Sequence, residues 1–326
     1  MDALSHFLAL YAPSGSLDVR CHLNAPWELE HQREAAGVAT YHVVVAGEAR
    51  LDLAGHPSVL LHAGDIVVFP RGSAHRLFAG SGAGADPAAP APTPTTAPMP
   101  TPTPRDVPDA GLPVRVKANG GGGASCDILC GRFVFDDAAG HALLAALPEM
   151  LLVRSADKPE FCDLRALIAM LRRETGAMRP GGAVLVSQLS SVLFGLLIRA
   201  WTDETQALQG MLGALAERRL QPALLGMFAE PARQWTLEDM ARACHMSRAT
   251  FVRLFHQASG TSAALMLLQI RMANAARWLA RGGRSIAAVA LAAGYQSDAA
   301  FARAFKKHFG VGPGAYRRGP QAAAYA

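Results

Sequence analysis

One pattern occurs twice between Trp235 and Tyr316: a capping residue, a short helix, a tight turn, a second capping residue and a longer helix. In the first copy Thr236 precedes Leu237, Met240 and Ala241, with Glu238 and Asp239 in the first turn. That is an N-cap supported by the helix dipole. The helix is expected to stop near Cys244–His245–Met246. Ser247 then caps a second helix whose Phe251, Leu254 and Phe255 form an inward stripe, leaving Arg248, Thr250 and Arg253 outward. In the second copy Ser285 caps Ile286–Ala293, with Ile286, Val289 and Ala290 inward, and Gly294 supplies the turn. Ser297 caps the following helix, where Phe301, Phe305 and Phe309 pack inward and Gln296, Asp298, Arg303, Lys306 and Lys307 stay polar. Between the copies, Ala263 to Arg281 is a continuous helical pattern of 19 residues, about 28 Å at ~1.5 Å per residue. One turn of B-DNA is ~34 Å, so the two longer helices are spaced to enter successive major-groove segments of a duplex.

The charge agrees with that geometry. Residues 230–326 carry 13 Lys and Arg against 4 Asp and Glu, while the rest of the chain carries 18 against 22. A basic block on a mildly acidic body is the footprint of a polyanion binder; on charge alone, a solvated basic surface is the alternative. With 326 residues, 51% of them hydrophobic, two or three domains with sizeable cores are expected. The N-terminus lacks a cationic stretch, and the apolar run Phe7–Leu10 is too short for a signal peptide. The most apolar stretch, Ala183–Trp201, is broken by Ser187, Gln188, Ser190, Ser191 and Arg199, so no membrane span is expected. Five cysteines do not make a secreted disulfide framework. A cytoplasmic location, with reduced thiols, is expected.

The stretch VALAAGYQSDAAFARAFKKHFGVGPGAYRR, Val289–Arg318, resembles the signature of AraC/XylS-type regulators. The residues that carry the likeness are Gly294, Ser297, Phe301, Phe305-Lys306, Phe309-Gly310, Pro313 and Tyr316-Arg317. Gly312 departs from it, since these regulators more often have Thr before the proline, and this touches a local cap rather than the function. The resemblance implies that Arg248, Thr250 and Arg253, flanked by the cap Ser247, carry base contacts in the first unit. It implies the same of Gln296, Asp298 and Arg303, beside the cap Ser297, in the second. A bidentate Arg–guanine contact gives ~1–3 kcal/mol of discrimination. Lys306, Lys307 and Arg318 are expected on phosphates, where they add affinity without sequence.

The remainder reads as follows. Runs between Tyr41 and Leu77 such as YHVVVAG and DIVVFP are β-branched and bounded by Gly or Pro, hence strands. Residues 79–123 hold a Pro/Thr/Ala tract and a Gly run, and are expected to be a disordered insertion. Strand sequence resumes at Cys126–Phe135, which places the insertion inside the first domain. From Ala142 to Met227 the chain reads as helical. Around Leu185, Leu189, Val192 and Leu196 the apolar spacing fits either a buried helix or a dimer seam. The expected fold is α+β, in three parts: a cupin-type β-barrel over 1–141, a helical linker and dimerisation region over 142–228, and an all-α double helix-turn-helix domain over 229–320.

Gly64, Pro70, Gly72 and His75 fit the second cupin motif, G-x5-P-x-G-x2-H. This strand, corner and return strand point His75 into the barrel. Metal-binding cupins draw further ligands from an H-x-H and a Glu, which this sequence lacks. His31 and His42 could converge with His75 instead, and three imidazoles suit Zn or another first-row ion; histidines satisfied by hydrogen bonds in a metal-free barrel are the alternative. The opening MDALSHFLALYAPSG, with CHLNAPWELEH, PRGSAHRL and CDILCGRFVF, resembles AraC-type activators that answer reactive chlorine species by oxidising cysteines in a cupin domain. The Pro/Thr insertion departs from that group. The resemblance implies Cys21 as the reactive thiol, with Cys126 or Cys130 as partner and His22 beside it to promote the thiolate. Cys126 and Cys130, four apart on one strand, are ~13 Å from each other, too far for a mutual bridge. Cys162 and Cys244 read as inert, and a buried, unreactive thiol is the alternative for Cys21 as well.

These features describe a homodimeric activator that binds double-stranded DNA, works with RNA polymerase and responds to oxidants. One rival is a regulator whose barrel takes a small-molecule effector. A cupin enzyme such as a dioxygenase is disfavoured by the absent H-x-H and Glu, and a non-specific nucleoid protein by the two tuned reading helices.

Overall fold

The computed structural model describes residues 1–79, 103–107, 111–156, 158–204 and 210–318. They form two compact units, one of residues 13–134 and 147–197, the other of 1–12, 135–146 and 198 onward. Contacts thus divide the chain elsewhere than composition does. The N-terminal helix Ala3–Leu10 belongs with the DNA-binding helices, where His6 stacks on Phe228 at 6.3 Å.

The first unit is built on strands β1 (Ser14–Asn24), β2 (Glu28–His31), β3 (Val38–Ala46), β4 (Glu48–Leu53), β5 (Val59–His62) and β6 (Asp65–Phe69). They are followed by β7 (His75–Ala79), β8 (Arg105–Asp106), β9 (Arg115–Ala118), β10 (Ser125–Val134) and β11 (Leu151–Arg154). Seven of them make one sheet in the order β11-β6-β3-β10-β1-β9-β8, and four make a second, β2-β7-β4-β5. Among the described residues no pairing joins the two, so the closed barrel expected from the motif is instead a cupin-like pair of facing sheets. Alternation along each strand sorts the side chains. Cys21, Leu23, Val44, Phe69 and Ile128 of the large sheet meet Leu51 and Leu77 of the small one in a single apolar core. On the other face of the large sheet, Tyr41 and Phe133 lie under the helix Gly182–Glu204, whose Ser190 accepts a hydrogen bond from Tyr41 at 3.2 Å and whose Phe194 meets Phe133 edge-on. That helix is long and apolar enough to cross a membrane by composition alone. Its serines are nevertheless committed to the sheet: Ser187 donates to the Gly15 carbonyl at 3.0 Å, and the Gly15 amide donates to Ser191 at 3.1 Å.

Three stretches differ from expectation. Strand β1 begins well before Tyr41. Strand β11 lies inside the stretch expected to be helical and pairs with β6, because four apolar residues carry too little periodicity to separate strand from helix. Of the insertion expected to be disordered, 80–102 and 108–110 fall outside the described residues, while β8 and β9 fall inside it. Strand β9 runs parallel to β1 with Cys21 opposite Lys117, which gives its backbone groups the partners that a Gly-rich segment cannot supply itself.

In the second unit the caps behave as the sequence expects. Thr236 and Asp239 form a reciprocal capping box ahead of the helix Leu237–Ala243. Ser247, Ser285 and Ser297 each accept a backbone N–H at the start of the helices Arg248–Ser259, Ile286–Ala292 and Asp298–Phe309. The connecting helix is Ala263–Arg281. Its buried Met272, Ala276 and Leu279 join Val289, Phe301 and Phe305 in one small core. Both tight turns pass through a left-handed residue, His245 at φ 54° in the first and Gly294 at φ 84° in the second. A Cβ on Gly294 would lie 2.9 Å from the Ala232 carbonyl oxygen. Gly294→Ala is therefore expected to cost about 1–3 kcal/mol, read as a lowered urea midpoint.

Candidate DNA interface and sensor cluster

The second helix of each unit presents its polar residues outward. Arg248 and Arg253 are exposed on Arg248–Ser259, and Arg248 is held by Glu238 at 3.2 Å. Thr250 lies beside them on the same helix. It is half-buried, and its hydroxyl accepts from exposed Ser247 at 3.0 Å, which leaves its own O–H free to donate. Gln296, Ser297, Asp298, Arg303, Lys306 and Lys307 are all exposed, and the two lysines sit in the last turn of their helix. Beneath them Phe251, Phe255, Phe301 and Phe305 are fully buried, which fixes the rotation of each reading helix.

The sensor histidines converge, and they bring a cysteine with them. Strand register sets His42 opposite Cys130 in the large sheet and His31 opposite His75 in the small one. The four side chains point at one another between the sheets. Gly72 makes the corner that returns β7. Its φ is +56°, and a Cβ there would lie 2.7 Å from Cβ of Glu34. His31 lies 4.4 Å from His42 and stacks on His75 at 4.7 Å, ring centre to ring centre. Phe69 stacks on the other side of His75 at 3.7 Å.

The hydrogen bonds fix the protons. His75 Nδ1 lies 2.8 Å from the Ser73 carbonyl, which can only accept. Nδ1 therefore carries the hydrogen, and Nε2 of a neutral His75 is bare. His42 Nε2, 2.7 Å away, must then donate to it. That leaves His42 Nδ1 bare, facing the Cys130 sulfur at 3.1 Å, so the thiol donates. Neutral rings are what this burial favours. Desolvation brings His31 and His75 down to about 4 and His42 well below the ordinary imidazole value. The chain of donors thus runs from Cys130 to His42, His75 and Ser73. His31 Nε2 is buried with no hydrogen-bond partner among the described residues.

Cys21 pairs with Ile128 across β1 and β10, while Cys126 and Cys130 stand opposite Leu23 and Val19. The three expected redox cysteines therefore share the inner face, with Cys126 and Cys130 as the two diagonal neighbours of Cys21. Burial pushes Cys126 up to about 12, and the adjoining Cys21 thiol together with burial holds Cys130 well above the ordinary thiol range. His22 follows Cys21 on the strand and so faces the opposite side, where it sits 3.6 Å from Asp127. It cannot serve the thiol as the sequence reading expected. Cys162 is exposed and Cys244 buried. Cys130 as the neighbour of His42 escapes sequence reasoning because strand register is set by long-range pairing. A cavity of about 300 Å³ opens over Cys21, His31, His42 and Cys130, rimmed by Arg115, Lys117 and Arg132.

A family model described as a cupin matches residues 2–203, and one described as a helix-turn-helix domain matches residues 240–319. The chain is 30% identical over 318 residues, 97% of either chain, to the RCS-specific HTH-type transcriptional activator RclR of Escherichia coli K12. It belongs to the AraC-type regulators with an N-terminal cupin domain. The regulator is also 30% identical over 323 residues to the HTH-type transcriptional regulator MtrA of Neisseria gonorrhoeae, covering 98% of each chain. Among solved structures, the DNA-binding domain of AdpA in complex with a target DNA is 28% identical, over 31% of the regulator and 95% of that chain, with a TM-score of 0.29. The regulator is a DNA-binding transcription factor, and its relatives bear the names of regulators rather than enzymes.

Proposed function

We propose that the regulator is a transcriptional activator switched by reactive chlorine species through Cys21 and Cys130. The observation that carries this reading is the strand register that makes them diagonal neighbours, with His42 on the far side of the Cys130 sulfur. Hypochlorous acid transfers chlorine to the Cys21 sulfur and the thiol proton leaves in water. The Cys130 sulfur then attacks, chloride departs, and the Cys130 proton passes to Nδ1 of His42. Diagonal pairs stand ~7–8 Å apart at Cα and disulfides span up to about 6.8 Å, so closing the bridge slides the two strands past each other by ~1 Å. A bridge formed under such strain is readily reduced, as a reversible switch requires. Cys21→Ser is expected to abolish hypochlorite-dependent transcription in a reporter strain while leaving promoter binding intact. Normal induction in that strain would falsify the assignment.

On DNA, Arg253 and Arg303 read bases, together with Arg248, Gln296 and Asp298, and Lys306 and Lys307 hold phosphates. Arg303→Ala should cost ~1–3 kcal/mol on the cognate site and little on random duplex. Lys306→Ala should weaken both alike and lower the salt slope by about one. Equal losses on both duplexes for Arg303→Ala would sink its role as a base reader. The regulator acts in the cytoplasm as a homodimer that engages RNA polymerase. Val184, Leu185 and Val192, exposed on the helix Gly182–Glu204, support a dimer seam there, and sedimentation equilibrium of Val192→Glu should report monomer.

A second reading is favoured by the cavity over the cluster: a small effector enters there in place of oxidant. Thermal shifts with metabolites, and none of the thiols lost to hypochlorite, would support it.

A further inference from the structure

We propose that Cys130, His42 and His31 form a binding site for a thiolate-preferring divalent ion of the zinc class, with His75 as the group that orients His42. One donor atom from each of the three residues lies within 4.8 Å of the other two. Tetrahedral Zn–N bonds of ~2.0–2.1 Å and a Zn–S bond of ~2.3 Å can be made from such a spread with side-chain adjustment alone. The donors are unequal. Nδ1 of His42 holds a bare lone pair aimed at the Cys130 sulfur, and only the thiol proton lies between them. An ion entering there takes the place of that proton. The third donor is the buried Nε2 of His31, a polar atom without a hydrogen-bond partner among the described residues.

The outer contacts match what a metal-bound imidazole needs. A ligating histidine donates its other N–H to a fixed acceptor, which sets its tautomer and ring orientation. His42 does so to Nε2 of His75, and His75 is held in turn by the Ser73 carbonyl and by Phe69. This changes the ligand set read from sequence. His75 is spent on His42 and stands behind the ion, while Cys130, from a strand outside the cupin motif, supplies the sulfur. Access is through the 300 Å³ cavity, which both cysteines and both ligating histidines line.

The site exists independently of the oxidant reading, but its regulatory consequence rests on that reading. A sulfur bound to the ion is withheld from Cys21. With the ion in place, bound Cys130 thiolate, Cys21 thiol and one hypochlorous acid give the disulfide, water, chloride and the free ion. Metal supply then sets how much oxidant the switch requires.

The test is a titration of Co(II) into the reduced, metal-stripped full-length protein. One ion per chain is expected, with a thiolate-to-cobalt charge-transfer band and about one proton released from Cys130. Cys130→Ser should lose the band. His31→Ala, at a half-exposed position that does not hold up the core, should weaken binding beyond the ~10–100-fold that loss of an outer partner costs. His75→Gln should stay within that range and keep the band, and Cys21→Ser should change neither. Absence of binding, or a Cys130→Ser protein with the wild-type band, overturns the site. In a parallel sample, one equivalent of hypochlorous acid is added to the Zn(II)-loaded protein, and zinc release and thiol loss are counted. A bridge that forms in protein unable to bind cobalt removes the metal and leaves the oxidant reading standing. A protein that binds cobalt but keeps both thiols removes the oxidant reading and leaves the metal.

Discussion

Asp127→Ala is expected to destabilise the sensor unit by about 3–5 kcal/mol, because it strands a buried cation. Arg20 donates to both carboxylate oxygens of Asp127, at 3.1 and 2.7 Å. Its remaining nitrogen donates to the Arg172 carbonyl and to Thr175 in the helix Cys162–Thr175. Only 8% of the Arg20 side chain and 11% of the Asp127 side chain reach solvent, so water cannot replace the lost carboxylate. The size of the effect reflects the unpaired charge rather than the net value of the pair. Replacing both at once, Arg20→Leu with Asp127→Leu, removes the charge along with its partner and should recover most of the loss. Urea unfolding of the full-length protein, followed on the sensor transition, decides. Equal destabilisation by the single and double replacements would show that the pair matters for shape and not for charge.

Phe301→Ala is the corresponding change in the DNA-binding unit, at a further ~3–5 kcal/mol. Phe301 is 0% exposed and packs against Tyr295 at 5.6 Å and Phe305 at 5.5 Å, ring centre to ring centre. The core it anchors is small, so nothing nearby can collapse into the space. For a unit of this size a loss of that order corresponds to a fall in melting temperature of at least ~6 °C. Affinity for the cognate duplex should fall with it, although Phe301 touches no nucleotide, because Gln296, Asp298 and Arg303 depend on its helix for their aim. Phe301→Leu, which keeps most of the volume, should retain most of both. A protein with normal melting and lost DNA binding would mean that the helix is oriented by something other than this core.

How much was legible beforehand varies with the range of the interaction that decides each feature. Thr236, Ser247, Ser285 and Ser297 announce their helices because a cap acts on a residue two or three positions away. Gly294 and the 19 residues Ala263–Arg281 could be read for the same reason. The corner Gly64 to His75 is equally local. What could not be read depends on pairings across the chain. That Cys130 faces His42, and that Cys21 lies between Cys126 and Cys130, follows from a register joining strands about a hundred residues apart. Strand β9 lies inside a Gly- and Pro-rich stretch whose composition argues against order, and its partners come from the edge of β1 on one side and from β8 on the other. His22 is adjacent to Cys21 in sequence, a closeness that the strand pleat turns into opposition.

The same pleat makes β1 and β10 a two-sided plate. One side carries Cys21 and Cys130. The other, one residue along, carries Arg20 clasped to Asp127 and hung from the helix Cys162–Thr175. If the proposed bridge forms, the sliding of the two strands that brings the sulfurs together would shear the guanidinium across the carboxylate that grips it. In the switch proposed above, the plate would work as a lever: a displacement on its chemical side would arrive on its mechanical side as tension on a helix.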